Sequence, residues 1–101
     1  MQTSTHIVNG KAVVSLRGCF DFSAHREFRS SCNASLGASD VRELELDLGG
    51  VDYLDSAALG MLLLLKEHAD TVGKRIVLSN CRGVVSEALE AANFGRLFPI
   101  T

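Results

Sequence analysis

The sequence predicts an α/β sandwich, one β-sheet covered by at least three helices. Three observations predict it. Two β-rich runs flank Asn9-Gly10, residues 43–48 (ELELDL) alternate strictly between acid and leucine, and the stretches around them carry apolar residues at helical spacing. A hairpin followed by helices that alternate with strands is the order of an α/β fold. The 101 residues read as one domain, 1–101, and 47% hydrophobic with 22% charged residues is an ordinary globular balance. A chain of this size can bury a core without disulfide or metal staples.

The elements follow in order. Asn9-Gly10 suits a type I′ turn because both residues tolerate positive φ, so HIV and KAVVSLRG form a hairpin that Gly18 ends. In SAHREFRSSCNASL, Ala24, Phe28, Cys32 and Leu36 recur every fourth residue on one helical stripe, with Ser23 as the expected N-cap and Gly37 as the stop. Residues 43–48 are a strand with Leu44, Leu46 and Leu48 on its packed face, and Gly49-Gly50 is expected to break it. A second helix runs from Ser56 to Val72 before Gly73, KRIVLS is another strand, and GVVSEALEAAN is a third helix. Its apolar face is Val84, Val85, Ala88, Leu89 and Ala92, and GRLFPI closes the chain.

The second helix sorts by angle. With Ser56 at 0°, Ala58, Met61, Leu62, Leu65, Ala69 and Val72 fall between roughly 140° and 240° and form the core stripe. Ser56, Gly60, Lys66, Glu67 and Asp70 share the opposite, solvent side, yet Leu59 and Leu63 fall among them, near about 300° and 340°. Two leucines beneath a serine at a helix start suggest a small docking face of Ser56, Leu59, Gly60 and Leu63, in which Gly60 lets a partner approach closely. Ser56 has two readings. It caps the helix, a role Asp55 suits equally, or it is displayed as a modification site at a helix N-terminus receptive to phosphate.

Other classes are disfavoured. A net charge of −2 offers no basic field for nucleic acid or an anionic membrane, and Met61–Leu65 is far shorter than the ~20 apolar residues of a membrane span. Cys19, Cys32 and Cys81 are odd in number and widely spaced, which suggests buried, reduced thiols rather than a zinc site or disulfide framework. His6, His25 and His68 are scattered, and neither a glycine-rich phosphate loop nor a GxSxG elbow is present. The start of the chain lacks the pattern of a signal peptide. The expectation is a small cytoplasmic protein with no catalytic residues, no cofactor and no metal.

LDLGGVDYLDSAALGMLLLL, residues 46–65, resembles the signature of the STAS domain, shared by bacterial anti-sigma factor antagonists and the tails of sulfate transporters. VVSLRGCFDF resembles the family's second strand, and KRIVLSNCRGVVSEALEAANFGRLFPI its last strand, last helix and tail. The resemblance spans nearly the whole chain. It implies a mixed four- to five-stranded sheet with helices packed against it, and no enzymatic activity. In the antagonist branch it implies phosphorylation of the motif serine, here Ser56, by a serine kinase with a histidine-kinase-like ATP-binding fold, either the anti-sigma factor itself or a response-regulator-linked kinase, and dephosphorylation by a PP2C-type phosphatase. The unphosphorylated form binds the kinase and frees its client, whereas the phosphorylated form lets go. Asp21 matches an aspartate that relatives place near the serine at the partner surface; otherwise it is a loop or capping acid. Many relatives carry Ser-Gly after the motif serine where this chain has Ala57-Ala58, which stiffens the first helical turn. The client is left open by the sequence. The alternative reading is a constitutive STAS interaction module without phosphorylation control.

Overall fold

In the computed structural model, which describes residues 1–101, the hairpin forms as expected, except that Gly18 does not end its second strand, which runs on to Phe20. β1 (Gln2–Val8) pairs antiparallel with β2 (Lys11–Phe20), and the turn residues Asn9 and Gly10 take positive φ, 51° and 80°. After α1 (His25–Gly37), β3 (Glu43–Leu54) returns parallel to β2. After α2 (Ser56–Thr71), β4 (Arg75–Ser79) lies parallel to β3, giving a four-stranded mixed sheet in the order β1-β2-β3-β4. α3 (Gly83–Ala91) packs against β3. The C-terminal residues then return to the sheet, where Ile100 bridges Leu78 in parallel as a rudimentary fifth strand.

The core lies on one face of this sheet. Ala12, Val14 and Leu16 of β2, Leu44, Leu46 and Leu48 of β3, and Ile76 and Leu78 of β4 point to the helices and are buried. They meet Phe28, Cys32 and Leu36 of α1 and Ala58, Leu62 and Leu65 of α2. The other face mixes charged residues with Val13 and Val77 and is bridged by charge. Lys11 lies 2.9 Å from Glu45 and 3.5 Å from Glu43, and Ser79 donates to Glu45 at 2.8 Å.

That ladder sets a pH dependence. The Lys11 hydrogen bond, followed by the Ser79 hydroxyl, holds the Glu45 carboxyl below the usual carboxylate range, while Glu45 raises Lys11. A lowered carboxyl contributes stability that is complete above its unfolded pKa and lost as pH falls through the folded one. The raised lysine contributes below its usual pKa and loses that only above it. Glu45→Gln is therefore expected to melt below the wild type near neutrality, with the gap closing as pH falls from about 5 toward 3. Melting curves of the two proteins across that range check it.

The structure departs from the sequence pattern at several places. Gly49-Gly50 does not end the third strand, which continues to Leu54. The Asp47 side chain accepts from the Gly49 N–H at 2.9 Å, and a β-bulge takes up one residue there; a second slip follows at Asp52, so that Leu54 pairs with Phe20. Gly50 is required by close approach, since a Cβ would lie 2.7 Å from Arg17 Cγ and 3.0 Å from the Leu16 carbonyl oxygen. The slips keep Leu48, Val51 and Leu54 all in the core although they stand three apart, a spacing that regular pleating would turn to alternate faces.

Ser23 does not cap α1. It lies in a 3-10 turn, Phe22–Ala24, whose N-cap is Asp21, and α1 begins only at His25. Gly37 does end α1, with extended backbone at Ala38 rather than a left-handed cap. Val72 is 43% exposed just past the end of α2, and Val84 is exposed on α3 while Ala92 lies beyond its end. The thiols are not uniformly buried: Cys19 is exposed and Cys81 half-buried, and only Cys32 is in the core, where desolvation pushes it up to about 12. No helix is long and apolar enough to cross a membrane.

Candidate functional site

The two bulges bring the ends of β2 and β3 together. Leu54 pairs with Phe20, and the Asp55 N–H donates to the Phe20 carbonyl at 3.3 Å. Each strand is followed by an aspartate that caps the next helical turn. Asp21 accepts from the Ser23 N–H at 3.0 Å and from the Ser23 hydroxyl, and that hydroxyl bond is the main reason its carboxyl is held below the ordinary range. Asp55 accepts from the Ala58 N–H at 3.0 Å and is the N-cap of α2. Asp21 and Asp55 thus sit side by side beyond the carboxyl ends of two parallel strands, where α/β sheets habitually present their sites.

Capping by Asp55 answers one of the two readings of Ser56. Ser56 is the first residue of α2, exposed, and its hydroxyl makes no hydrogen bond within the chain. The N–H groups of Ser56 and Ala57 have no carbonyl one turn back inside the helix, so the positive end of α2 opens at this residue.

The leucines divide. Leu63 is 41% exposed, whereas Leu59 is half-buried and leans on the core, so only part of the expected docking face stands free. Gly60 has open space where a Cβ would be. The structure adds apolar residues that helix angles alone did not place on this face. Leu64 is 63% exposed, and Phe22 on the 3-10 turn is 74% exposed, its ring stacked at 6.3 Å on that of His25. Together with Leu63 and Leu97 they line an open groove beside α2 and Gly60. For Leu64 a signal was present: five consecutive apolar residues, Met61–Leu65, cannot all fit one buried stripe. For Phe22 and Leu97 none was, because Phe22 lies in a short 3-10 turn and Leu97 just past another, with no periodicity to read.

A family model described as Mlab, STAS domain matches residues 4–99. The chain belongs to the STAS domain family. A STAS-domain containing protein of Pseudomonas aeruginosa is 42% identical over 88 residues, covering 87% of this chain and 85% of that protein. BtrV of Bordetella bronchiseptica, named as an anti-sigma factor antagonist, is 26% identical over 100 residues, covering 99% of this chain and 85% of its own. Among solved structures, SpoIIAA in its unphosphorylated form superposes with a TM-score of 0.76 at 18% identity, over 99% of this chain and 87% of that one. The phosphorylated form of the Bacillus SpoIIAA gives 0.74 at 16% identity, over 99% and 91%. At such identities the likeness shows the shared STAS fold, a mixed sheet with helices packed on it.

Proposed function

We propose that this STAS domain is a non-enzymatic phospho-switch of the anti-sigma factor antagonist type, controlled at Ser56. The observation that carries the reading is the exposed Ser56 hydroxyl, uncommitted because Asp55 holds the cap, at the edge of an apolar surface on α2. A serine kinase with a histidine-kinase-like ATP-binding fold docks on Asp21, Asp55, Ser56, Gly60 and Leu63 and, in this reading, on Phe22 and Leu64. It transfers phosphate to Ser56, and a PP2C-type phosphatase removes it. Phosphate adds roughly −1.5 to −2 charges. At a helix N-terminus that charge is tolerated by the fold, with a dipole contribution of about 0.3–1 kcal/mol in its favour. Inside a docked interface the same charge is unmatched and costs about 2–5 kcal/mol. Modification therefore releases the partner and leaves the fold intact.

Gly60 provides a test that separates docking from folding. Gly60→Ala places a methyl in open space on a helix interior, so it is expected to stabilise the free protein by about 0.5–1 kcal/mol. That corresponds to a rise of roughly 2–8 °C in melting temperature. The same methyl holds a docked kinase off the helix, so affinity falls while stability rises. Calorimetric melting together with titration of the kinase reads both. Unchanged affinity would remove Gly60 from the docking face.

A further inference from the structure

We propose that the cleft between α1 and α2 binds a small amphiphilic monoanion, a carboxylate head on a short apolar tail. The cleft has a volume of about 300 Å³, at the lower end of the range for small-molecule sites. At ~30 Å³ per water-sized atom this accommodates a ligand of about ten heavy atoms. Its two sides differ in chemistry. Phe28 of α1 with Met61 and Leu65 of α2, all buried residues, form an apolar floor, and Leu64 extends it toward solvent. His25, Arg29 and Asn33, one helical turn apart on α1, form the polar wall, and His68 of α2 completes it.

The polar wall is selective in sign. No aspartate or glutamate lines the cleft, although the chain has 12 acids against 10 lysines and arginines. Arg29 takes part in none of the chain's ion pairs, which engage Lys11, Lys66 and Arg75. Its planar fork matches a carboxylate with two parallel hydrogen bonds. Asn33 Oδ1 lies 3.2 Å from His68 Nδ1 and ties the helices together at one end, which leaves the Asn33 amide N–H groups as donors beside Arg29. Arg29 is the one permanently charged side chain in the cleft, so the fit is to a monoanion. The cleft shares His25, Met61 and Leu64 with the groove beside α2. The cleft therefore borders the proposed docking face and shares Leu64 with it, yet its ligand is observed without any kinase.

Methyl NMR of the intact protein labelled at methionine reads the site directly. The chain has two methionines; Met61 lies on the cleft floor, and Met1 serves as an internal reference. Octanoate is the probe, with octylammonium and inorganic phosphate as controls for head charge and for the tail. Octanoate is expected to shift the Met61 methyl saturably while Met1 stays put, and neither control should do so. Arg29→Ala is expected to weaken octanoate at least about ten-fold, with Arg29→Lys in between, because a charge-assisted hydrogen bond is lost. Arg29 is exposed, so both variants are expected to melt as the wild type does. An absent or non-saturable Met61 shift overturns the proposal. So do an equal shift with octylammonium, an equal shift with phosphate alone, and undiminished binding to Arg29→Ala.

Discussion

Ser56→Asp is expected to bind the kinase partner about thirty-fold to several thousand-fold more weakly than the unmodified protein, the affinity equivalent of the 2–5 kcal/mol an unmatched interfacial charge costs. Ser56→Ala is expected to bind at full strength and without release, because it removes only the phosphate acceptor. Neither change is expected to lower the melting temperature. Asp55, not Ser56, holds the helix cap, and an acid at the first helical position favours the dipole. Asp55→Ala is the control, expected to cost about 1 kcal/mol of stability through the lost cap. Titration of the kinase with each variant, alongside thermal melts, separates the two effects. Equal affinities for Ser56→Ala and Ser56→Asp would show that charge at this position controls nothing.

The second large effect distinguishes neighbours on one helix. Leu62 is fully buried among the sheet leucines, so Leu62→Ala is expected to lose about 2–5 kcal/mol of stability through lost transfer energy and a cavity. Leu63 and Leu64, the next residues, are exposed, so Leu63→Asp and Leu64→Asp are expected to shift stability by only about 0.5 kcal/mol. Their expected effect is on the partner: about ten-fold or more in affinity, as for an interface anchor. Chemical denaturation of the three variants tests the first half and kinase titration the second. A large stability loss in Leu63→Asp would return that leucine to the core and leave the docking face to Phe22 and Leu64.

These contrasts show where the sequence was readable. Period-two alternation in ELELDL and period-four spacing of Phe28, Cys32 and Leu36 each follow from one buried face, and both faces are where the pattern put them. The Asn9-Gly10 turn was legible for a similar reason, since its backbone conformation selects its residues. Gly49-Gly50 misled because paired glycines mark a chain break and a bulge alike. The deciding contacts, Asp47 with the Gly49 N–H and Gly50 against Arg17, are set by packing between strands. Ser23 misled as a cap because Asp21, two residues earlier, takes a 3-10 turn first.

The candidate site was legible in its linear part and obscure in its assembled part. Asp55, Ser56 and Gly60 lie within one helical start, so motif and periodicity place them together. That Asp21 stands beside Asp55 depends on how far β2 and β3 stay paired, which the two bulges determine. Phe22 and Leu97 join the groove only through the tertiary fold. Leu59, assigned to solvent by angle, is drawn inward because a real helix surface is partly covered by its neighbours, which an isolated helical wheel omits.

Everything in the switch depends on Ser56 being a phosphoacceptor. Phosphosite mapping by mass spectrometry on the protein from its native cells, with and without the kinase, tests it most directly. Phosphate is expected on Ser56 when the kinase is present and none when it is deleted. A Ser56 that stays unmodified under every growth condition, with the kinase present, would contradict it and leave the chain a constitutive binding module that presents its groove beside α2.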